Sequence, residues 1–492
     1  MAKLYVFGIG GTGSRVLKSL TMLLASGVKL QNGFDTVVPL IIDPDAANGD
    51  LNRTADILTK YQNIYKAVGE NNDMFGTKIL TLKQLVDENL PNVSDHFKFG
   101  MTNTGQKFGD FIDYNGLDKE NKALVDLLFS PENLEADMTV GFKGNPNIGS
   151  VVLNRFADSA EYKEFTNSFN PGDAIFIVSS IFGGTGASGF PLLLKNLRVN
   201  NPAIVNSSEI STSTIGAITY LPYFKVSSTD KEGQAIDSST FYSKSKAALS
   251  YYQHAIFDKE ESLDAFYYLG DYSNNNMPYA EGKSEQKNNA HFLELAGALS
   301  IIDFTKDFQS FGNGQNTTIK EYGIEAHEGN KLKLEHLGQW SKNQISVPLS
   351  KMVLLYKFFA KSQDILFKSK GGFNKGDKGV NKQFYNQDFY TVYFNKFMEY
   401  FNEWMHEMDN NDVSFAPYHD NQEHDTLLDF IKGKEVSRGV LFGINNKSTA
   451  DKIITSADKI IKEKSYDDES EASRFLKVFD DVLTEHVNNI LN

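Results

Sequence analysis

The sequence predicts an α/β fold, in which a doubly wound, Rossmann-like sheet is followed by a central helix and an α+β C-terminal domain with terminal helices. Three observations lead to this prediction. Strand-like and helix-like segments alternate over residues 1–285. The run 37–42 is apolar throughout, which is typical of a strand buried on both faces of a parallel sheet. Two apolar strands, at 3–9 and 174–178, each lead into a glycine-rich turn and then a helix.

The remaining N-terminal elements follow from the same patterns, in chain order. Residues 14–25 are predicted to form a helix, because their apolar side chains recur on one side. The polar segment 50–135 is predicted to be mainly helical. Strands at 213–221 and 265–269 enclose a helix at about 240–256, which completes the alternation of a doubly wound sheet.

Beyond residue 286 the pattern changes, and this change predicts the domain boundaries. An N-terminal domain at 1–285 is followed by a central helix at 286–306 and a C-terminal domain at 307–492. Within the last domain, the sequence predicts an aromatic-rich helix at 384–404 and two terminal helices. The terminal helices are placed at about 449–463 and 470–491.

The composition describes a globular protein of two or three domains, with 492 residues, 40% of them hydrophobic and 23% charged. A formal net charge of −14 argues against a nucleic-acid-binding surface. The chain has no cysteine, which excludes disulfides, thiolate metal sites and thiol catalysis. It has no run of 18 apolar residues, and its first strand begins at residue 3. We therefore expect no membrane span, no signal peptide and a cytoplasmic location.

The two glycine runs, at 8–14 and 181–189, have the chemistry of a phosphate cradle. Glycine lets the backbone come close to an anion, and the free N–H groups at the start of a helix point at it. Two such runs in one chain, each between a strand and a helix, indicate one nucleotide held from two sides.

The first run alone is compatible with more than one class of nucleotide-binding protein. Gly8, Gly10 and Gly13 match the dinucleotide fingerprint, and Asp43 follows a later strand as a ribose-binding acid would. However, Asp43 lies about ten residues further along than that fingerprint prefers. The segment 43–53 is also similar to the ubiquitin-activating type of adenylyltransferase, but the cysteines common in that family are absent here.

Four loops, taken together and in order, carry a more specific resemblance. They are Gly10-Gly11-Thr12-Gly13, Asp43-Pro44-Asp45, Gly144-Asn145-Pro146-Asn147-Ile148-Gly149 and Gly183-Gly184-Thr185-Gly186-Ala187-Ser188-Gly189. In this order they resemble the nucleotide-binding loops of tubulins and of the bacterial cell-division homologue FtsZ. The last resembles the glycine-rich tubulin signature, and the third resembles the Gly-Asn-Pro-Glu-Ile-Gly loop of the FtsZ branch. The resemblance covers about residues 1–305, and the differences elsewhere indicate a divergent bacterial or phage branch.

The resemblance implies that GTP or GDP binds together with Mg²⁺. The amides of 183–189 would hold the α- and β-phosphates, helped by the hydroxyls of Thr185 and Ser188. The loop 10–13 would meet them from the other side, and the amides around Gly144 and Asn145 would face the γ-phosphate. Asp43 and Asp45 would lie near the metal and bind it through water. The implied nucleotide-binding residues are Gly10, Gly11, Thr12, Gly13, Asp43, Asp45, Gly144, Asn145, Gly183, Gly184, Thr185, Gly186, Ser188 and Asn289.

Each of these assignments has a structural alternative. The glycine runs are also compatible with turns that pack a helix on a strand, and Asp43 with a cap for the next helix. Asn289 is open to three interpretations. It is the base-binding Asn of the family's central helix, a simple helix cap, or the first residue of a degraded catalytic loop, Asn-x-Asp-x-x-Glu. In that loop His291 would stand at the Asp position and Glu294 at the end.

The catalytic candidates His291 and Glu294 are weak, because helix surface explains them equally well. With no intact Asn-x-Asp-x-x-Glu elsewhere in the chain, hydrolysis is expected to be slow, differently built or absent. The resemblance implies head-to-tail self-association, which gives filaments when the contact does not close. The alternatives are a nucleotide-binding scaffold that does not polymerise and a dinucleotide-dependent enzyme.

Two further patterns have weaker claims to function. The residues 419–420 and 423–425 combine two His with acidic side chains, as a zinc site would, but a solvated loop explains them better. The aromatic side chains within 384–404 recur at helical spacing, which favours a core or subunit contact over a base-stacking surface.

Overall fold

The computed structural model shows an α/β architecture centred on one seven-stranded sheet. It describes residues 2–86, 96–100, 105–142, 144–227, 238–257, 263–271, 276–278, 282–311, 317–321, 331–369, 371–375, 378–420, 427–434, 449–464, 466 and 469–492. Every pair of neighbouring strands in the sheet is parallel. The predicted fold class, a parallel sheet with flanking helices, is therefore confirmed.

The strands are numbered in chain order. Strands β1–β11 span Ala2–Ile9, Phe34–Ile42, Lys78–Ile79, Ala174–Ser180, Ile215–Tyr220, Lys225–Ser227, Ala265–Leu269, Asn276–Pro278, Thr318–Glu321, Lys331–Leu332 and Ser414–Phe415. The main sheet has the order β3-β2-β1-β4-β5-β7-β9, while β6 with β8 and β10 with β11 form two small parallel sheets. Because β2 and β4 lie on opposite sides of β1, the strand order reverses there, at a topological switch point.

The helices surround this sheet. Helices α1–α16 span Gly10–Ser26, Gly49–Val68, Leu82–Val86, Phe108–Phe111, Lys119–Leu128, Pro131–Leu134, Pro146–Leu153, Ala160–Ser168, Gly184–Arg198, Ser207–Ser211, Ser238–Tyr252, Phe292–Asp307, Gln339–Lys368, Asn395–Asp409, Thr449–Glu463 and Glu471–Leu491. None of the helices described is both long enough and apolar enough to cross a membrane.

The central strand β1 is buried on both faces, as the apolar pattern predicts. Its alternate side chains Leu4 and Val6 pack into one hydrophobic core, and Tyr5, Phe7 and Ile9 pack into another. This period of two follows from the pleat of a strand, which turns successive side chains to opposite faces. Helices on both sides of the sheet therefore exclude water from it, and only its ends are open to a ligand.

Helix α12 is the predicted central helix, but it begins at Phe292, later than the predicted 286. It packs against α1 on one face of the sheet. The core on that face continues through α13, α14 and α16, with Leu349, Phe397 and Phe479 among its buried side chains. Strand β9 comes from the region assigned to the C-terminal domain, yet it pairs with β7 at the edge of the main sheet.

The aromatic-rich segment 384–404 differs from the single helix predicted for it. A 3₁₀ turn at Lys382–Asn386 and a π-helix at Phe389–Phe394 precede α14. A π-helix brings residues i and i+5 above one another, and the rings of Phe389 and Phe394 stack with centroids 6.2 Å apart. The segment packs into the core through these rings, so its aromatic pattern reflects packing and not a base-stacking surface.

Candidate functional site

The two glycine runs, at 8–14 and 181–189, meet at the carboxyl ends of neighbouring strands. Strand β1 ends at Ile9 and passes directly into α1, and β4 ends at Ser180 shortly before α9. The two strands pair in parallel, so both runs lie at the same edge of the sheet. Ligands of open α/β sheets bind in the crevice at this switch point.

The helix N-termini at this edge lie within van der Waals range of one another. A Cβ atom placed on Gly10 would lie 3.6 Å from Cβ of Thr185 and 3.8 Å from the amide nitrogen of Gly186. A Cβ atom on Gly184 would lie 3.2 Å from the amide nitrogen of Asn145 and 3.3 Å from that of Gly144. The first turns of α1, α9 and α7 therefore converge, with α9 between the other two.

The three N-termini share one electrostatic property. The residues that precede their first turns are Ile9, Gly183 and Asn145, and none of them caps its helix with a side-chain hydrogen bond. The first N–H groups of a helix have no partner within the helix and carry its partial positive charge. Three N-termini without side-chain caps in one place provide the partial positive charge that an anion with several negative oxygens would need. At α7 this charge comes mainly from the helix dipole, because its first residue is Pro146 and the amide of Asn145 donates to the carbonyl oxygen of Phe142.

The glycines in these turns have two different functions. Gly10 has a φ of +72°, which turns the chain from strand into helix without a loop, so α1 begins four residues earlier than predicted. Gly13 and Gly186 instead permit close packing. A Cβ atom on Gly13 would lie 2.4 Å from the carbonyl carbon of Gly8, and one on Gly186 would lie 2.5 Å from the carbonyl oxygen of Ser180.

The hydroxyl groups of the two runs differ in their availability. Ser188 is buried, and its hydroxyl donates a hydrogen bond to the carbonyl oxygen of Gly184 at 2.7 Å. Thr12 is also buried, and it accepts a hydrogen bond from Nη2 of Arg15 at 3.4 Å. Thr185 is half-exposed at the first turn of α9. Of these three hydroxyls, that of Thr185 is the one best placed for a ligand.

The two aspartates after β2 occupy different environments. Asp43 is half-buried and accepts a hydrogen bond from the amide of Asp45 at 3.0 Å. Burial raises the pKa of the Asp43 carboxyl to about 7, and the nearby carboxylates of Asp45 and Asp50 add to this rise. Asp45 is buried, and it accepts hydrogen bonds from the amides of Ala47, at 3.0 Å, and Lys283, at 2.6 Å. Asp45 thus forms a turn and fixes the loop before α12.

Asn289 is exposed and lies three residues before the first residue of α12. The residues around it are fixed to the start of α2. The amide of Asn288 donates to Oδ1 of Asp50 at 3.1 Å, and the amide of Asp50 donates to the carbonyl oxygen of Gln286 at 3.1 Å. The interpretation of Asn289 as a helix cap does not hold, because His291 is the residue that caps α12.

The catalytic candidates His291 and Glu294 are buried. They therefore do not lie on the helix surface, and they are not exposed for contact with another subunit. They form a capping box, in which Nδ1 of His291 accepts from the amide of Leu293 and Glu294 accepts from the amide of His291. Burial lowers the pKa of His291 to about 4. The structure therefore gives this pair a structural role in place of the predicted role at a catalytic surface.

A buried ionic cluster lies directly beneath the first turn of α1, and sequence analysis missed it. Arg15 donates to Glu294 at 2.5 Å and to Asp50 at 2.8 Å. Glu407 of α14 accepts from Lys18 at 2.9 Å and from Arg53 at 2.5 Å. Three cations thus face three carboxylates among α1, α2, α12 and α14. Helical periodicity did not reveal this cluster, because α1 is buried on nearly every side.

Lys244 is a second residue that sequence analysis missed. It lies on α11, and its Nζ donates a hydrogen bond to the carbonyl oxygen of Gly144 at 2.7 Å. No motif marks it, since α11 is about 100 residues from the loop that it contacts. The contact places an ammonium group at the edge of the converging N-termini.

The possible zinc cluster has little structural support. Residues 423–425 lie outside the described part of the chain. His419 and Asp420 are described, and the backbone amide of His419 donates to the carbonyl oxygen of Phe430. Across the residues that the structure describes, no group of three or more His or acidic side chains is arranged to hold a metal ion.

No protein-family model and no curated protein matches this sequence. Solved structures similar to the chain include CetZ from Methanosaeta thermophila, with 13% identity and a TM-score of 0.27 over 63% of this chain and 54% of that one. A GTPgS-bound protofilament of CetZ2 from Haloferax volcanii has 12% identity and a TM-score of 0.29, covering 62% and 59%.

A third similar structure is that of GDP-form protofilaments of TubZ from Bacillus thuringiensis serovar israelensis, with 13% identity and a TM-score of 0.24, covering 62% and 53%. The chain thus spans a little over half the length of each of these three proteins. These low TM-scores and identities carry no argument about function, which rests instead on the geometry of the site.

Proposed function

We propose that this chain binds a guanine nucleoside triphosphate with Mg²⁺ at the carboxyl ends of β1 and β4, and that it self-associates head to tail. The observation that carries the proposal is the convergence of three helix N-termini without side-chain caps at the switch point of the sheet. The identity of the nucleotide is supported by the order of the four loops, which resembles that of tubulin and FtsZ.

The phosphates would be held mainly by backbone amides. Gly10 in α1 lies against Thr185 and the amide of Gly186 in α9, and Gly184 in α9 lies against the residues that precede α7. Because the glycines lack side chains, a polyphosphate can lie against the backbone of both turns. The uncapped amides and helix dipoles then supply the attraction that basic side chains supply in other sites.

Asp43 is the residue that fits the proposed Mg²⁺. A nucleotide-bound Mg²⁺ takes most of its ligands from phosphate and water and needs only one or two carboxylates. Asp43 is half-exposed beside the end of β2, whereas the oxygens of Asp45 already accept two backbone hydrogen bonds. Bound metal would supply positive charge that offsets the triphosphate, and it would lower the pKa of Asp43.

Base recognition is proposed for Asn289. Its side chain is exposed on a loop that Asp45 and Asp50 fix to the start of α2. An Asn amide has both a donor and an acceptor, which match the guanine edge. A fixed loop with an exposed amide is what base discrimination needs.

The burial of His291 and Glu294 supports slow hydrolysis. In the tubulin-like scheme, acidic residues of one subunit act on the nucleotide of the next. Here the segment 289–294 has its carboxylate in an ion pair with Arg15 inside the same chain. We therefore propose slow turnover, and a cytoplasmic filament is the proposed form of assembly. The same burial also favours a second candidate function, a nucleotide-binding scaffold that does not polymerise.

Equilibrium binding of a nucleotide panel to the purified chain tests the proposal. GTP should bind more tightly than ATP or NAD, and its affinity should fall when Mg²⁺ is removed. Tight NAD binding without GTP binding would instead support a dinucleotide enzyme. Light scattering and electron microscopy with GTP, with GDP and without nucleotide then separate filament formation from the scaffold function.

A further inference from the structure

Lys244 lies where its charge is not balanced by protein groups. Its side chain is half-buried on α11, and its Nζ lies 2.7 Å from the carbonyl oxygen of Gly144. Within the described part of the chain, that carbonyl is its one hydrogen-bond partner, and no carboxylate forms an ion pair with it. Burial lowers the pKa of Lys244, and no neighbouring carboxylate offsets this effect.

The surroundings of Lys244 are themselves electropositive. Gly144 lies two residues before the first turn of α7, and its amide lies near Gly184 at the start of α9, whereas the amide of Asn145 donates to the carbonyl oxygen of Phe142. A lysine charge beside the positive ends of two helices raises the free energy of an empty site. An anion between them removes this cost, so the arrangement itself indicates a bound negative group.

Helix α11 is fixed relative to the cradle, which keeps Lys244 in place. Tyr252, near the end of α11, is buried and donates a hydrogen bond to the carbonyl oxygen of Ala187 in α9 at 3.2 Å. Ser245 is also buried, and its hydroxyl has no partner among the described residues. An ammonium held by packing loses little entropy when it binds a ligand.

The position of Lys244 also indicates which phosphate it meets. Helix α9 lies between α1 and α7, and Lys244 contacts the α7 side, away from the α1 turn. The loop of Asn289, the proposed base-binding residue, is fixed to Asp50, which lies near Gly11 of α1. A polyphosphate that starts on this side and crosses α9 therefore ends near Gly144. Resting on the function proposed above, we infer that Lys244 binds the terminal phosphate of the triphosphate and makes the site prefer GTP over GDP.

The test compares the affinities of GTP and GDP by calorimetry on the full chain with Mg²⁺. Lys244→Ala should weaken GTP by roughly 10- to 100-fold, the value of a charge-assisted hydrogen bond, and should leave GDP within about twofold. Lys244→Arg should restore most of the preference for GTP. Lys246→Ala is the matched control, because Lys246 is an exposed lysine of the same helix. Its GTP to GDP ratio should equal that of the wild type.

Each outcome separates this inference from the proposed function. Equal losses of GTP and GDP in Lys244→Ala would mean that Lys244 only supports the Gly144 loop. Unchanged affinity for both would mean that it does not contact the nucleotide, and either result overturns the inference while nucleotide binding stands. A wild-type chain that binds neither nucleotide overturns both. Retained GDP binding in Lys244→Ala shows that the variant is folded.

Discussion

Helices α1 and α12 pack against each other, but their first turns satisfy their backbone amides in different ways. The first turn of α12 is closed by its own side chains, since His291 and Glu294 form a capping box in the core. The first turn of α1 contains Gly10, Gly11 and Gly13, and no side chain caps it. The capped turn of α12 therefore has a structural role, whereas the uncapped turn of α1 is the one to which the proposed function assigns a ligand.

This difference distinguishes a turn that can bind an anion from a turn that has only a structural role. A helix N-terminus attracts an anion only if its first amides are not already bonded to a side chain. Around α12 the carboxylate of Glu294 is the anion, and Arg15 of α1 neutralises it. Around α1 no side chain caps the first turn, and in the proposed function a bound phosphate is the anion. Substitutions at the two turns should therefore have different consequences.

The substitution Glu294→Ala should lower the free energy of unfolding by about 3–5 kcal/mol, because it leaves Arg15 as a buried cation with a missing partner. Chemical denaturation measures this loss. The control is Glu403→Ala, which removes a 40%-exposed carboxylate at the rim of the same cluster and should cost about 1 kcal/mol or less. Equal losses in the two variants would contradict a structural role for the closed turn.

The substitution Gly11→Val should reduce GTP affinity by about 100-fold, because a branched side chain in the first turn of α1 would crowd the proposed phosphate site. A Cβ there would lie 3.4 Å from Nη1 of Arg15 and 3.9 Å from Oδ2 of Asp50, so the fold should survive with a smaller loss of stability than in Gly186→Val. Gly186→Val is the contrasting variant and should destabilise the protein itself, because its Cβ would lie 2.5 Å from the carbonyl of Ser180. Calorimetry and thermal melting together distinguish the effects, and wild-type affinity in Gly11→Val would show that this turn binds no phosphate.

The substitution His291→Asn should make the protein less sensitive to acid. Burial lowers the pKa of His291 to about 4 from 6.5, so the unfolded chain binds the proton more tightly. Stability from this group is therefore present above pH 6.5 and is lost as pH falls towards 4, by up to about 3 kcal/mol. Asn keeps an N-cap acceptor but does not titrate. Denaturation at pH 4.5 and 7.5 checks the prediction, and an unchanged difference would exclude His291 as its source.

The substitution Asp43→Asn should have the smallest effect on nucleotide binding, and the pH dependence of its effect on stability has the opposite sign. Burial raises the pKa of Asp43 from 3.8 to about 7, so the folded chain holds this proton more tightly. Its contribution to stability is present below pH 4 and is lost as pH rises to 7. In the wild type, Mg²⁺ should strengthen GTP binding several-fold more at pH 8 than at pH 6, because the carboxylate is charged there.

Magnesium titrations at both pH values measure this difference, and Asp43→Asn should remove it. Asp45→Asn is the comparison, because the Asp45 carboxylate accepts two backbone hydrogen bonds. That variant should lose stability while keeping the pH dependence of the Mg²⁺ effect. Loss of the pH dependence in Asp45→Asn alone would assign the metal to Asp45.

Much of this protein follows from sequence alone, for a local reason. A strand buried on both faces must be apolar at every position, as at 37–42, and Ala265–Leu269 was placed at its observed bounds. Glycine residues between a strand and a helix directly indicate a turn with unusual backbone freedom. Both halves of the candidate cradle could therefore be predicted from residue type. These features depend on neighbours in the chain, and residue type reports them directly.

The tertiary structure decided which polar residues are accessible. His291 and Glu294 have residue types suited to chemistry, yet packing among α1, α12 and α14 buries both. Asp45 joins two loops because the fold brings the amide of Lys283 within hydrogen-bonding distance of its carboxylate. Lys244 contacts Gly144, which lies 100 positions earlier in the sequence. Burial and charge balance depend on elements far apart in the chain, and no local pattern records which of them will meet.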